Sequence, residues 1–178
     1  MGFELAADDP HVPAHLDLCL PFASSGRMQM KLPEAMSLAF AEAQKAAARG
    51  EVPVGAVVTD AHGKVLASAG NRTLELRDPT AHAEMLAIRE AAAALGSERL
   101  ADCELYVTLE PCAMCAAAIS FARLRRLYFA AADAKMGGVD HGPRFFNQAT
   151  CHHAPEVYGG IGETMARAML MQFFKDKR

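Results

Sequence analysis

Apolar and polar positions follow two rhythms along this chain, and the switches between them mark its elements. From Pro33 to Arg49, Met36, Phe40, Ala43 and Ala47 fall on one stripe while Glu34, Lys45 and Arg49 fall away from it, which predicts a helix. Pro33 suits its start and Gly50 its left-handed end. Val52 to Thr59 (V-P-V-G-A-V-V-T) is β-branched and predicts a strand, Asp60 to Gly63 a turn, and Lys64 to Ala69 the returning strand of a hairpin. Pro53 and Gly55 are unexpected in a fully paired strand. They fit either an edge strand or a backbone passing close to a ligand.

A polar loop, Asn71 to Asp78, leads to a helix from Ala81 to Leu95, ended by Gly96. Cys103 to Leu109 is apolar enough to be a central strand. Pro111 opens the next helix, and Leu127 to Ala132 is a fourth strand. A helix between these two strands implies that they are parallel. Gly137 to Pro155 reads as a long loop, followed by a short strand near Val157 and a last helix, Glu163 to Lys175. This order predicts an α/β fold: a three-layer α/β/α domain around a mixed sheet of about five strands.

Composition narrows the picture. Of 178 residues, 52% are apolar, enough for one domain with a core of its own. That domain is predicted over 31–178. Residues 1–30, broken by Pro10, Pro13 and Pro21, are predicted to be a disordered extension. The net charge of −3 argues against indiscriminate binding to nucleic acid, though not against a small basic patch aimed at one RNA. No apolar run approaches membrane-spanning length, and the acidic start is unlike a secretory signal. Cys112 and Cys115 apart, the cysteines are Cys19, Cys103 and Cys151, an odd set with no regular spacing. It does not make a disulfide framework, and a cytoplasmic location is expected.

The chemistry lies between Asp78 and Cys115. His82, in D-P-T-A-H-A-E, and Cys112 and Cys115, in T-L-E-P-C-A-M-C, are three zinc ligands, with Glu84 two residues after the histidine. Three protein ligands leave a fourth tetrahedral position open, the pattern of a catalytic zinc. Cysteines three apart project from one side of a helix, whose N-terminus favours thiolate. His82 and Glu84, two apart, can serve one site only from a first helical turn. Bound zinc lowers the pKa of a water from about 15.7 to about 7, and Glu84 is the candidate proton carrier. Such a set suits hydrolysis of an amino group from an aromatic ring. Cys151-His152-His153 is a possible alternative ligand source, read as a solvated loop feature.

Taken with E-V-P-V-G-A-V, N-R and D-A-K, these motifs make the stretch from Glu51 to Lys135 resemble the bacterial tRNA-specific adenosine deaminases, and the F-F near a basic C-terminus matches too. The resemblance implies a cytidine-deaminase-like fold, one zinc per subunit, a homodimer, and conversion of the wobble adenosine of an arginine tRNA anticodon stem-loop to inosine. It implies that Asn71 hydrogen-bonds the flipped adenine and that Val52, Pro53, Val54, Gly55 and Ala83 line its pocket. Asp133, Lys135, Phe173 and Phe174 would contact the anticodon loop. On the residues alone, Asn71-Arg72 is also readable as a turn, Lys135 as a solvated charge, and one of Phe173 and Phe174 as core. Ala117 stands where the family usually has glycine, and the loop 137–160 departs from the family pattern. Two other readings stay open: a deaminase of free guanine or cytosine, and a zinc-stabilised RNA-binding module without catalysis. Glu84 argues against the second.

Overall fold

The computed structural model describes residues 32–177, so the expected disordered extension over 1–30 lies outside the described residues. The elements run in the order α1 (Glu34–Ala48), β1 (Gly55–Thr59), β2 (Val65–Gly70), α2 (Thr73–Leu76), α3 (Ala83–Leu95), β3 (Glu104–Leu109), α4 (Ala113–Ala122), β4 (Arg126–Ala131), β5 (Glu156–Tyr158) and α5 (Glu163–Asp176). The sheet order is β2-β1-β3-β4-β5. β1 runs antiparallel to both β2 and β3, and the expected parallel pairing of β3 with β4 is present, extended by a parallel β5. This is the mixed five-stranded three-layer fold that the pattern predicts.

Alternation along the strands divides the core in two. Ala56, Val58, Leu105, Val107, Leu127 and Phe129 pack beneath α3 and α4 with Ala87, Ile88, Ala116 and Ile119. Val57, Ala130 and Ala131 face the other way, onto Met36, Ala39 and Phe40 of α1 and Ala166 of α5. Expected boundaries move by a residue or two, except that β1 begins at Gly55 rather than Val52. No helix among the described residues is long and apolar enough to cross a membrane.

Gly55 needs a different explanation from the one its sequence context suggests. β1 is not an edge strand, and a Cβ at Gly55 would lie 2.0 Å from the carbonyl oxygen of Ala39 and 2.5 Å from the nitrogen of Ala43. Its partner in register, Gly70, would meet the carbonyl oxygen of Glu42 at 2.6 Å. The glycine pair lets the α1 backbone rest directly on the hairpin. The close approach is to a helix, and no ligand is needed to explain it.

At the opposite end of β3 from the metal motif, buried Glu104 accepts hydrogen bonds from Tyr106, Arg125 and Arg126. Tyr106, Tyr128 and Tyr158 stack across β3, β4 and β5, with centroids 4.5 and 5.0 Å apart, and tie the short β5 to the sheet. Burial pushes the Glu104 carboxyl up, but its three donors outweigh burial and hold it below the usual carboxylate range. A carboxylate depressed on folding stabilises above its unfolded value of about 4.3, and that contribution is lost as pH falls through the folded value. Glu104→Gln is therefore expected to cost about 1–2 kcal/mol at pH 7, the arginines being partly exposed. The deficit should shrink below about pH 4. Thermal melts of both proteins between pH 3 and pH 7 test this, and a deficit independent of pH would refute it.

Candidate active site

Two helix starts meet at the carboxyl ends of β2 and β3, where open α/β sheets place their ligands. His82 is the N-cap of α3 and Cys112 the N-cap of α4, both with extended backbone. Their carbonyls accept the first intrahelical bonds, from Leu86 and Ala116. Glu84 and Cys115 sit in the first turns of the same helices, so the four side chains converge as the spacing predicts. Both helix dipoles aim their positive ends at this point, which favours thiolate and carboxylate.

His82 Nδ1 lies 3.7 Å from Cys112 Sγ and 3.6 Å from Cys115 Sγ, and all three ligand atoms fall within 4.8 Å of one another. Bonds of about 2.3 Å to sulfur and about 2.0 Å to nitrogen at a tetrahedral angle would separate S from N by about 3.6 Å. The ligand set therefore fits zinc without rearrangement. A hydrogen bond with Cys115, aided by His82, pulls the Cys112 thiol down to about 4, while the bond to Cys112 and burial push Cys115 up. Zinc binds thiolate, so a bound cation displaces the protons these thiols carry.

Glu84 is buried, 3% exposed, and burial pushes its carboxyl up. It opens onto a cavity of about 260 Å³ lined by Val52, Val54, Asn71, Thr73, His82, Leu109, Glu110, Cys112, Asp133 and Met136. The walls are mostly apolar, with a few directed polar groups, the composition of a site for a planar ring. The Asn71 side-chain oxygen accepts the N–H of Ala83 at 2.8 Å, filling one of the orphan donors at the start of α3. What Asn71 has left to offer a ligand is its amide NH₂, a donor suited to a ring nitrogen.

Residues 30–131 match the cytidine and deoxycytidylate deaminase zinc-binding region. The chain belongs to this deaminase family. Within it, a tRNA-specific adenosine deaminase from Agrobacterium fabrum is 59% identical over 143 residues, 80% of this chain and 93% of the relative. A structure solved in work on A-to-I editing by tRNA:A34 deaminases superposes with a TM-score of 0.75 at 59% identity, covering 76% of this chain and 98% of that one. A guanine deaminase from Nitrosomonas europaea shares the fold, with a TM-score of 0.68, at 24% identity over 78% of this chain and 82% of that one. Zinc is the cofactor of this deaminase domain.

Not every residue that the family pattern assigns lies at the deaminase cavity. Val52, Val54, Asn71 and Asp133 line it. Pro53 and Gly55 are not among its lining residues, and Gly55 faces α1 as described above. Ala83 is fully buried and touches the site through its N–H on Asn71. Lys135 is exposed and off the wall, and the Asp133 carboxylate accepts the N–H groups of Lys135 and Met136. On α5, Phe173 is half-buried with Lys177 Nζ 4.5 Å over its ring, and Phe174 is exposed; neither lines the cavity. Cys151 and His153 are not ligands. Cys151 Sγ sits 3.4 Å from Ser120 Oγ, and His153 Nε2 sits 2.7 Å from the carbonyl of Leu124.

The sequence reading missed two buried acids. Glu51, fully buried, accepts from Thr73 Oγ1 and from the N–H groups of Leu74 and Glu75, so it caps α2 and holds Thr73 at the cavity. Glu110 collects backbone N–H groups from the loop after β4, taken up below. The available signal was an acid directly beside an apolar strand, in E-V-P-V-G and T-L-E-P-C, where a solvated charge is out of place.

Proposed function

We propose that this protein hydrolyses the wobble adenosine of a tRNA anticodon loop to inosine, with an arginine tRNA as its substrate. The observation that carries the reading is the convergence of a three-ligand zinc set and buried Glu84 on one ring-sized cavity. The kinship with tRNA-specific adenosine deaminases selects adenosine in tRNA from among the rings that would fit.

In this reading His82, Cys112 and Cys115 hold zinc, which supplies an acidified water. Val52 and Val54 pack against the adenine, and Asn71 donates its amide N–H to a ring nitrogen. Glu84 takes a proton from the attacking water and gives it to the ring nitrogen beside the amino-bearing carbon. The water's oxygen bonds to that carbon. Glu84 then passes the remaining proton to the amino group, which leaves as ammonia. A carboxyl raised by burial is suited to both deliveries. On this reading Asp133, Lys135, Phe173 and Phe174 would contact nucleotides flanking the target. We assign residues 31–178 to the deaminase domain, acting as a homodimer in the cytoplasm.

A base in an anticodon loop is already unpaired, so extruding it costs less than opening a duplex, and flanking contacts offset what remains. A free nucleoside brings none of that binding energy and should lose turnover as well as affinity. Mass spectrometry would follow inosine formation in an anticodon stem-loop, in the same loop with the adenosine moved one position, and in free adenosine, with guanine as a further substrate. Conversion of the first alone is expected. Equal rates on all adenosines, or activity confined to guanine, would overturn the tRNA reading and leave the zinc deaminase intact.

A further inference from the structure

We propose that Glu110 and His141 form an anchor that positions the outer wall of the substrate cavity and so sets how tightly the RNA is held. The inference rests on the function proposed above. The Glu110 side chain is wholly enclosed, and the residue follows β3 directly, just before Pro111 and the metal ligand Cys112. One carboxylate oxygen accepts the Asp133 N–H at 2.9 Å and faces His141 Nδ1 at 2.8 Å. The other accepts the N–H groups of Val139, Asp140 and His141 at 3.2, 2.8 and 2.9 Å. Four backbone N–H groups already point at this carboxylate, so the proton between the pair belongs to Nδ1.

Asp133 and His141 are eight residues apart in sequence, and one carboxylate holds both ends of the loop between them. The loop is seated on the metal helix at two further points. Gly138 N–H donates to the Pro111 carbonyl at 2.8 Å, and Gly137 bridges to Cys112. A Cβ at Gly137 would lie 2.5 Å from Glu110 Oε1, and one at Gly138 would lie 2.5 Å from the nitrogen of Ala113, so the loop passes too close for any side chain. Asp133 and Met136 stand on this loop, and both line the cavity. Glu110 and His141 thus act through the loop as positioning residues. They fix the register of a wall that touches substrate, while Glu84 and the zinc ligands stand on other elements.

The test uses full-length, zinc-loaded protein with His141→Ala, His141→Asn and Glu110→Gln. His141 is partly exposed, so its removal leaves no cavity in the core. Asparagine places an N–H where Nδ1 stood. For His141→Ala, KM for the anticodon stem-loop is expected to rise about tenfold while kcat stays within about threefold. His141→Asn should recover most of the difference. Glu110→Gln, whose amide turns donors toward donors, should shift KM further. Hydrogen exchange across residues 133–141 should quicken in His141→Ala and Glu110→Gln, with zinc content held. KM and exchange unchanged in His141→Ala would overturn the anchor, as would asparagine recovering nothing. If wild-type protein does not deaminate the stem-loop, the proposed function fails, and hydrogen exchange still decides the anchor.

Discussion

Glu84→Gln is expected to lower the deamination rate by about 10⁴-fold while zinc content and fold are retained. Glutamine matches glutamate in size and keeps a hydrogen-bonding head, but it cannot cycle a proton. Positioned acid–base groups contribute roughly 10²- to 10⁴-fold, and Glu84 sits at the upper end because one carboxyl serves two successive transfers. The residue makes no part of the three-ligand set, so the metal should remain. Stability should change little, because glutamine fills the same buried space as glutamate. Rate, metal content and melting temperature would be measured on one preparation. Retained turnover, or loss of zinc along with activity, would show that Glu84 has a different role.

The sequence declared its chemistry more fully than its architecture around the site. Two short-range rules sufficed for the metal centre. Cysteines three apart share a helix side, and a first-turn histidine and glutamate can reach one point. Both hold because α3 and α4 start at these residues. The sheet was readable for a similar reason: strand alternation and a helical connection are local features that dictate pairing and direction. What escaped notice depends on long-range partners. Glu51 and Glu110 stand beside apolar strands, where a solvated charge is out of place, but what each one holds is set by loops more than twenty residues away that place N–H groups on them. Gly55 looks like a ligand-facing glycine until α1 is laid across it. The resemblance puts Asn71 on the adenine, and its side-chain oxygen is taken by the Ala83 N–H at the start of α3, which leaves its NH₂ for a ligand. Helix α2 is only four residues long, too short for any periodicity to show. In each case the deciding contact is tertiary, and pattern alone does not contain it.

Zinc removal should abolish activity reversibly and lower the melting temperature without unfolding the chain at room temperature. The ligands are held from two helix starts whose packing does not depend on the metal. α3 and α4 each bury apolar residues against the sheet, in a core that continues away from the site. That separates this domain from small zinc modules, which are unfolded without metal. The stability lost is set by mass action. With free zinc at about 1,000 times its dissociation constant, binding contributes about 4 kcal/mol. In a chain of this size that corresponds to roughly 8–16 °C in Tm. Chelation followed by dialysis should therefore give a folded protein melting about 10 °C lower, with activity restored by added zinc. Cys112→Ala should reproduce the chelated state permanently, because one of three ligands is gone and two cannot hold the metal. Circular dichroism, elemental analysis and inosine formation read the three consequences separately. A chelated protein that unfolds at room temperature would make zinc a structural requirement, and a Cys112→Ala variant with full metal and full activity would remove Cys112 from the site.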